Sequence, residues 1–159
     1  MKYLLIFIFV LSSSCVSGPN RSSLCNYSGN SFCLALPNGL ENTGSRIATD
    51  FLLHGFYHKQ ENYNVLIYEG NHPDLGTSPE VLETFDQQFG EVEYSVKFIK
   101  TETASVEIVL KRKDDLRIPE SIHIKTNKLK NQDSVVKEIL GGFYGCKSVL
   151  SVNSICRLD

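Results

Sequence analysis

The first fifteen residues constrain this chain more than any other segment. Lys2 precedes an unbroken apolar run from Tyr3 to Leu11, three serines follow at Ser12, Ser13 and Ser14, and then comes Cys15. Nine apolar residues suit a secretory leader and are about half of the roughly 20 that cross a bilayer as a helix. The layout is that of a bacterial lipoprotein signal peptide, with small residues for a peptidase pocket and a thiol placed to take a diacylglyceryl group. It predicts a signal peptide over 1–14, a lipidated Cys15 as first mature residue, and a tether over 15–23 rich in Ser, Gly, Pro and Asn. Val16 rather than Asp follows the cysteine, so the outer membrane is the expected address where the cell has one. Ser12 stands where such signals usually carry an apolar residue, which keeps open ordinary cleavage near Ser14 or Ser17 and a freely secreted protein.

Export bears on the fold because it admits disulfides. With Cys15 set aside as the anchor, four of the five cysteines remain, Cys25, Cys33, Cys146 and Cys156. They allow three connectivities. Cys25 with Cys33 and Cys146 with Cys156 is favoured, because each pair is close in sequence and flanked by turn formers such as Gly29, Asn30, Gly145 and Asn153. A bridge from arm to tail would close a longer loop and stabilise by roughly 4 to 5 kcal/mol against about 2 to 3. A four-thiolate metal site wants ligands two to four residues apart, and these pairs are separated by seven and nine. No metal and no cofactor is expected.

The remaining chain, 24–159, is long enough for one domain with a genuine core. Without the leader's Lys2, the chain from Cys15 on carries 15 basic and 18 acidic side chains, and no basic stripe or polybasic tail. Nucleic acid is therefore not an expected partner. Lys111, Arg112 and Lys113 run straight into Asp114 and Asp115 and read as a solvated turn.

Hydrophobic periodicity then assigns the elements. Phe32 to Leu36 is a short strand closed by Pro37, Asn38 and Gly39. Thr49 to His58 and Tyr63 to Glu69, separated by Lys59 to Asn62, read as a β-hairpin. Ser78 as N-cap, Pro79 in the first turn and Val81, Leu82, Phe85 and Phe89 at helical spacing predict a helix ended by Gly90. Val92, Tyr94, Val96 and Phe98 alternate with polar residues, as do Val106, Ile108 and Leu110, predicting an antiparallel pair; Ile122 and Ile124 add a short strand. A second helix is predicted from Gln132 to Leu140, ended by Gly141 and Gly142. The fold class expected is α+β, a small antiparallel sheet of hairpins with two helices packed on one face and a disulfide-bearing, irregular C-terminal tail from Phe143.

The chemistry-bearing motifs are few. The chain has no phosphate loop, no G-x-S-x-G elbow, no H-E-x-x-H pair and no C-x-x-C motif. His54 and His58 on one strand face would lie about 13 Å apart, too far to share a metal, and the histidines read as edge or surface groups. Glu61, Glu69 and Asp74 could meet in space as paired acids, though nothing in their spacing requires it. The most unusual stretch is Tyr68-Glu69-Gly70-Asn71-His72-Pro73-Asp74, where a strand ends in a turn carrying a tyrosine, two carboxylates, an amide and an imidazole. Tyr68, Glu69, Asn71, His72 and Asp74 are the candidate ligand residues, although a turn needs Gly, Asn, Pro and Asp for its backbone alone.

Leader, cysteine, spacer and one small domain are similar in layout to short bacterial envelope lipoproteins. The expected function is a non-enzymatic binding or accessory module with a protein partner in the envelope, such as an inhibitor or immunity protein, and no catalytic residue is assigned. A small secreted hydrolase or ligand-binding enzyme using the 68–74 loop with His54, His58 or His123 is one alternative, and a structural envelope spacer is another.

Overall fold

The computed structural model describes residues 25–75, 77–101, 105–114, 119–127 and 130–146. The leader, Cys15, the tether and Cys156 lie outside them. The described chain is built almost wholly from strands: β1 (Tyr27–Ser28), β2 (Phe32–Leu34), β3 (Leu40–Ile47), β4 (Phe51–His58), β5 (Tyr63–Gly70), β6 (Glu80–Phe89), β7 (Val92–Lys100), β8 (Val106–Arg112), β9 (Ser121–Thr126), helix α1 (Gln132–Gly141) and β10 (Phe143–Gly145). Seven strands form an antiparallel sheet in the order β3-β4-β5-β9-β8-β7-β6, and β1, β2 and β10 form a smaller one. Among the described residues α1 is the sole helix, and no helix is long and apolar enough to cross a membrane.

This corrects the α+β expectation at a definite place. Glu80–Phe89 is not a helix but the edge strand β6, paired with β7 down to Phe89↔Val92 across the two-residue connection Gly90-Glu91. The apolar residues Phe85 and Phe89 lie four positions apart, a spacing that serves a helical face and a strand face equally, while the bulge after Val81 sets that residue on the other face, opposite Ile99. A long-range fact settles it, the presence of β7 as partner. Gly90 takes φ 61, a left-handed conformation that glycine adopts without steric cost and that lets the chain reverse at once. The 49–58 and 63–69 hairpin stands as read, in β4 and β5. The helix over Gln132–Leu140 is also present, with Gly142 capping it by donating to the carbonyls of Glu138 and Ile139.

One core unites the elements. Phe56, Val65, Ile67, Val96, Ile108, Leu110, Ile122 and Ile124 point from one face of the large sheet onto Val135, Val136, Ile139 and Leu140 of α1 and onto Phe32, Leu34 and Phe143 of the small sheet. The opposite face of the large sheet is therefore the one that α1 and the small sheet leave uncovered.

The disulfide that the structure describes is the favoured pair Cys25–Cys33, with Cα atoms 5.7 Å apart; it lies in the N-terminal arm and not in the C-terminal tail of the expected fold. Cys146 is disulfide-bonded as well, and its expected partner lies outside the described residues. Phe143–Gly145, read as the start of an irregular tail, is a strand because β2 offers it a full ladder. Nor do Lys111 to Lys113 form a solvated turn: Lys111 and Arg112 end β8, and Arg112 is buried, donating to both oxygens of Asp114 at 2.8 and 2.7 Å and to the Cys146 carbonyl at 3.0 Å. The planar fork of arginine suits such a bidentate contact.

Candidate functional site

Strand alternation divides the expected ligand loop between two faces. Tyr68 and Glu69 are consecutive residues of β5, so their side chains point in opposite directions. Glu69 turns inward and is 2 % exposed. Its Oε1 accepts from the backbone N–H and the hydroxyl of Ser31, both at 2.6 Å, and its Oε2 accepts from the Asn30 N–H at 3.0 Å and from His54 Nε2 at 3.1 Å. Four donors fill the acceptor sites of one carboxylate. With Nε2 donating to Glu69, His54 Nδ1 accepts the hydroxyl proton of Tyr27 at 2.5 Å. Burial holds the Tyr27 phenol above its ordinary pKa, against the hydrogen bond from Ser45, which suits a donor that keeps its proton.

Glu69 is thus the clamp that holds the β1–β2 arm to the large sheet, and it has no acceptor left for a ligand. It also stands far from Glu61, which sits in the connection at the other end of the β4–β5 hairpin, so the paired-acid arrangement does not form. His54, His58 and His123 are buried rather than edge or surface groups. His58 stacks on Tyr63 and accepts the Glu61 N–H at 3.2 Å. Asn71 is likewise engaged, accepting the Glu120 N–H at 3.0 Å, and it borders a hollow of about 270 Å³ beside Glu69, Ile47 and Asp50.

The outward face brings the other three loop residues together. Leu53, Tyr68, His123 and Val109 stand side by side across β4, β5, β9 and β8, with Leu66 and Lys125 paired in a neighbouring row. Tyr68, His72, Asp74, His123 and Lys125 line a cleft of about 340 Å³ whose apolar side is Phe51, Leu53 and Leu66. The His72 N–H donates to the Tyr68 hydroxyl at 3.1 Å, which folds the loop over the tyrosine, and the Phe51 and Tyr68 rings stack at 5.5 Å. The cleft continues along Leu66 and Lys125 into a second hollow bordered by Asn64, Thr126 and Asn127.

Behind the cleft lies a second buried imidazole–carboxylate pair. His123 Nε2 donates to Glu107 Oε2 at 2.6 Å, and the Ser105 hydroxyl donates to Oε1 at 3.0 Å. Burial pushes the Glu107 carboxyl up, but the hydrogen bond and charge of His123, the Ser105 hydroxyl and the Lys125 charge outweigh it and hold the group below its ordinary pKa. The bond to Glu107 fixes the orientation of the His123 ring at the edge of the cleft.

Of the predicted site residues, then, the structure gathers Tyr68, His72 and Asp74 and separates Glu69 and Asn71 from them. His123 joins the cleft, whereas His54 and His58 do not. Phe51, Leu53, Leu66, Lys125 and Glu107 were not singled out, yet the signal was present: if Ile122 and Ile124 face the core, then His123 and Lys125 must share the other face. No group of described histidine, cysteine and carboxylate side chains could hold a metal ion. No protein-family model matches the chain, and neither a curated protein nor a solved structure is similar enough to it to count as a match.

Proposed function

We propose that this chain is a non-enzymatic binding module of a bacterial envelope, anchored through a lipid on Cys15, which receives its ligand in the outward cleft. One observation carries the reading: Tyr68, His72, Asp74, His123 and Lys125 converge from two strands and a loop onto a half-buried apolar floor. A concave site with an apolar body and a few convergent polar groups is how proteins hold small molecules and single side chains of a partner. Cationic and anionic groups are both present, so the ligand is one with a flat or apolar face and hydrogen-bonding groups at its rim, such as an aromatic or sugar ring. The Cys25–Cys33 bridge supports an oxidising compartment.

The test is amide chemical-shift mapping of the mature chain against single-ring probes, indole and N-acetylglucosamine. Shifts centred on Leu66, Tyr68, His72 and His123 that vanish in Tyr68→Ala support the reading. Shifts scattered over the surface, or none, count against it. The Glu107–His123 pair favours a second reading, a small hydrolase with His123 as base. That reading requires ester turnover that falls in His123→Gln.

A further inference from the structure

We infer that β6 is a docking edge for an extended basic segment of another protein, added as an eighth strand to the large sheet. The inference rests on neither the cleft nor the lipid anchor.

The two edges of the seven-stranded sheet are built differently. An open edge offers unpaired N–H and C=O groups at every second residue, and proteins usually blunt it with bulges, prolines or lysines. The β3 edge is blunted in this way. A bulge interrupts it between Asn42 and Gly44, Gly44 takes φ 118, and the Asn42 side chain accepts the Gly44 N–H at 2.8 Å. In β6 the bulge falls at the very start, between Val81 and Glu83, and the register with β7 then runs unbroken from Glu83 to Phe89. That stretch holds no lysine, arginine or proline. Most of β6 is exposed, including Val81 at 55 % and Leu82 at 49 %.

Charge selects the occupant. β6 carries Glu80, Glu83 and Asp86 and no base. Asp86 is bonded to Lys113 at 2.7 Å and Glu80 stands across from Lys100, whereas Glu83 has no ion pair among the described residues. A second copy paired antiparallel about Asp86 would set that carboxylate against its own twin, a like-charge contact that disfavours self-association. A segment with a lysine or arginine beside Glu83 would have the opposite effect. Phe85 follows two places along on the same face, so the matching segment carries an apolar residue two places from its base. Strand addition takes affinity from main-chain hydrogen bonds and selectivity from such alternate side chains.

The experiment uses the full mature chain and two synthetic peptides, Thr-Arg-Thr-Val-Thr-Arg-Thr and the same sequence with Glu for each Arg. The basic peptide is expected to bind, to slow amide exchange along β6 and to leave β3 unchanged. Glu83→Lys should weaken it by about fivefold, the scale of one exposed ion pair, while improving the acidic peptide. Glu83→Gln, which keeps the shape, should lie between. Equal binding of the two peptides, failure of both to bind, or indifference to Glu83→Lys overturns the inference. So does a concentration-dependent dimer with protected β6 amides, which would make the occupant a second copy.

Discussion

Ser31 and Glu69, 38 positions apart, meet through two hydrogen bonds to one carboxylate oxygen, each 2.6 Å long. With Asn30 and His54 on the other oxygen, this contact fastens the β1–β2 arm across the large sheet. The arm supplies Phe32 and Leu34 to the core, so the polar clamp and the apolar packing depend on each other.

Removing the clamp should therefore be costly. Glu69→Ala strands a buried imidazole and the two buried donors of Ser31, and takes the acceptor from the part-buried Asn30 N–H, so we expect a loss of about 3 to 5 kcal/mol in urea unfolding of the oxidised protein. A loss below about 1 kcal/mol would mean that water replaces the carboxylate and that the arm is held by packing alone.

Tyr94 is a polar group whose removal should be harmless. It is fully buried among Phe89 and Phe143, and its hydroxyl has no hydrogen-bond partner among the described residues. Tyr94→Phe should be neutral or stabilise by up to about 1 kcal/mol at neutral pH. Burial pushes the phenol well above its ordinary pKa. A raised value contributes stability that is complete below the unfolded value, about 10, and is lost as pH rises above it. The wild type should accordingly fall behind Tyr94→Phe in alkaline denaturation; parallel curves would refute this.

Glu107 has the opposite sign. Its carboxyl is held below the ordinary value, so its contribution is present above about pH 4.3 and is lost as pH falls through the folded value. Glu107→Gln should be less stable than wild type at neutral pH, with the gap closing in acid. Denaturant midpoints measured from pH 7 to pH 3 on both proteins check this, and a gap that does not change with pH would show that the charge is irrelevant.

What could be read in advance depended on how local the cause was. In β4, β5, β7 and β8 alternating apolar residues face a core, and these strands were legible. β3 was missed because Glu41-Asn42-Thr43-Gly44-Ser45-Arg46 shows no apolar period; its residues after Leu40 are exposed, and it is held by its ladder to β4. The misreading of β6 came from a four-residue spacing that two structures share. That Tyr68, His72 and Asp74 stand near one another was legible because an unusual turn is a local feature. That Glu69 belongs to the arm was not, because its partners Asn30 and Ser31 lie far back in the chain.

The sequence by itself determined the period-two strands, the helix over 132–140, the reversal that ends at Asn62 and the even set of cysteines after Cys15, all consequences of neighbouring residues and backbone sterics. Only the tertiary structure decided that 80–89 is a strand, that Glu69 clamps and Tyr68 lines a cleft, and that Arg112 is buried. Each of those outcomes is fixed by a partner distant in sequence, whose hydrogen bonds and packing outweigh a local preference of a few tenths of a kcal/mol per residue.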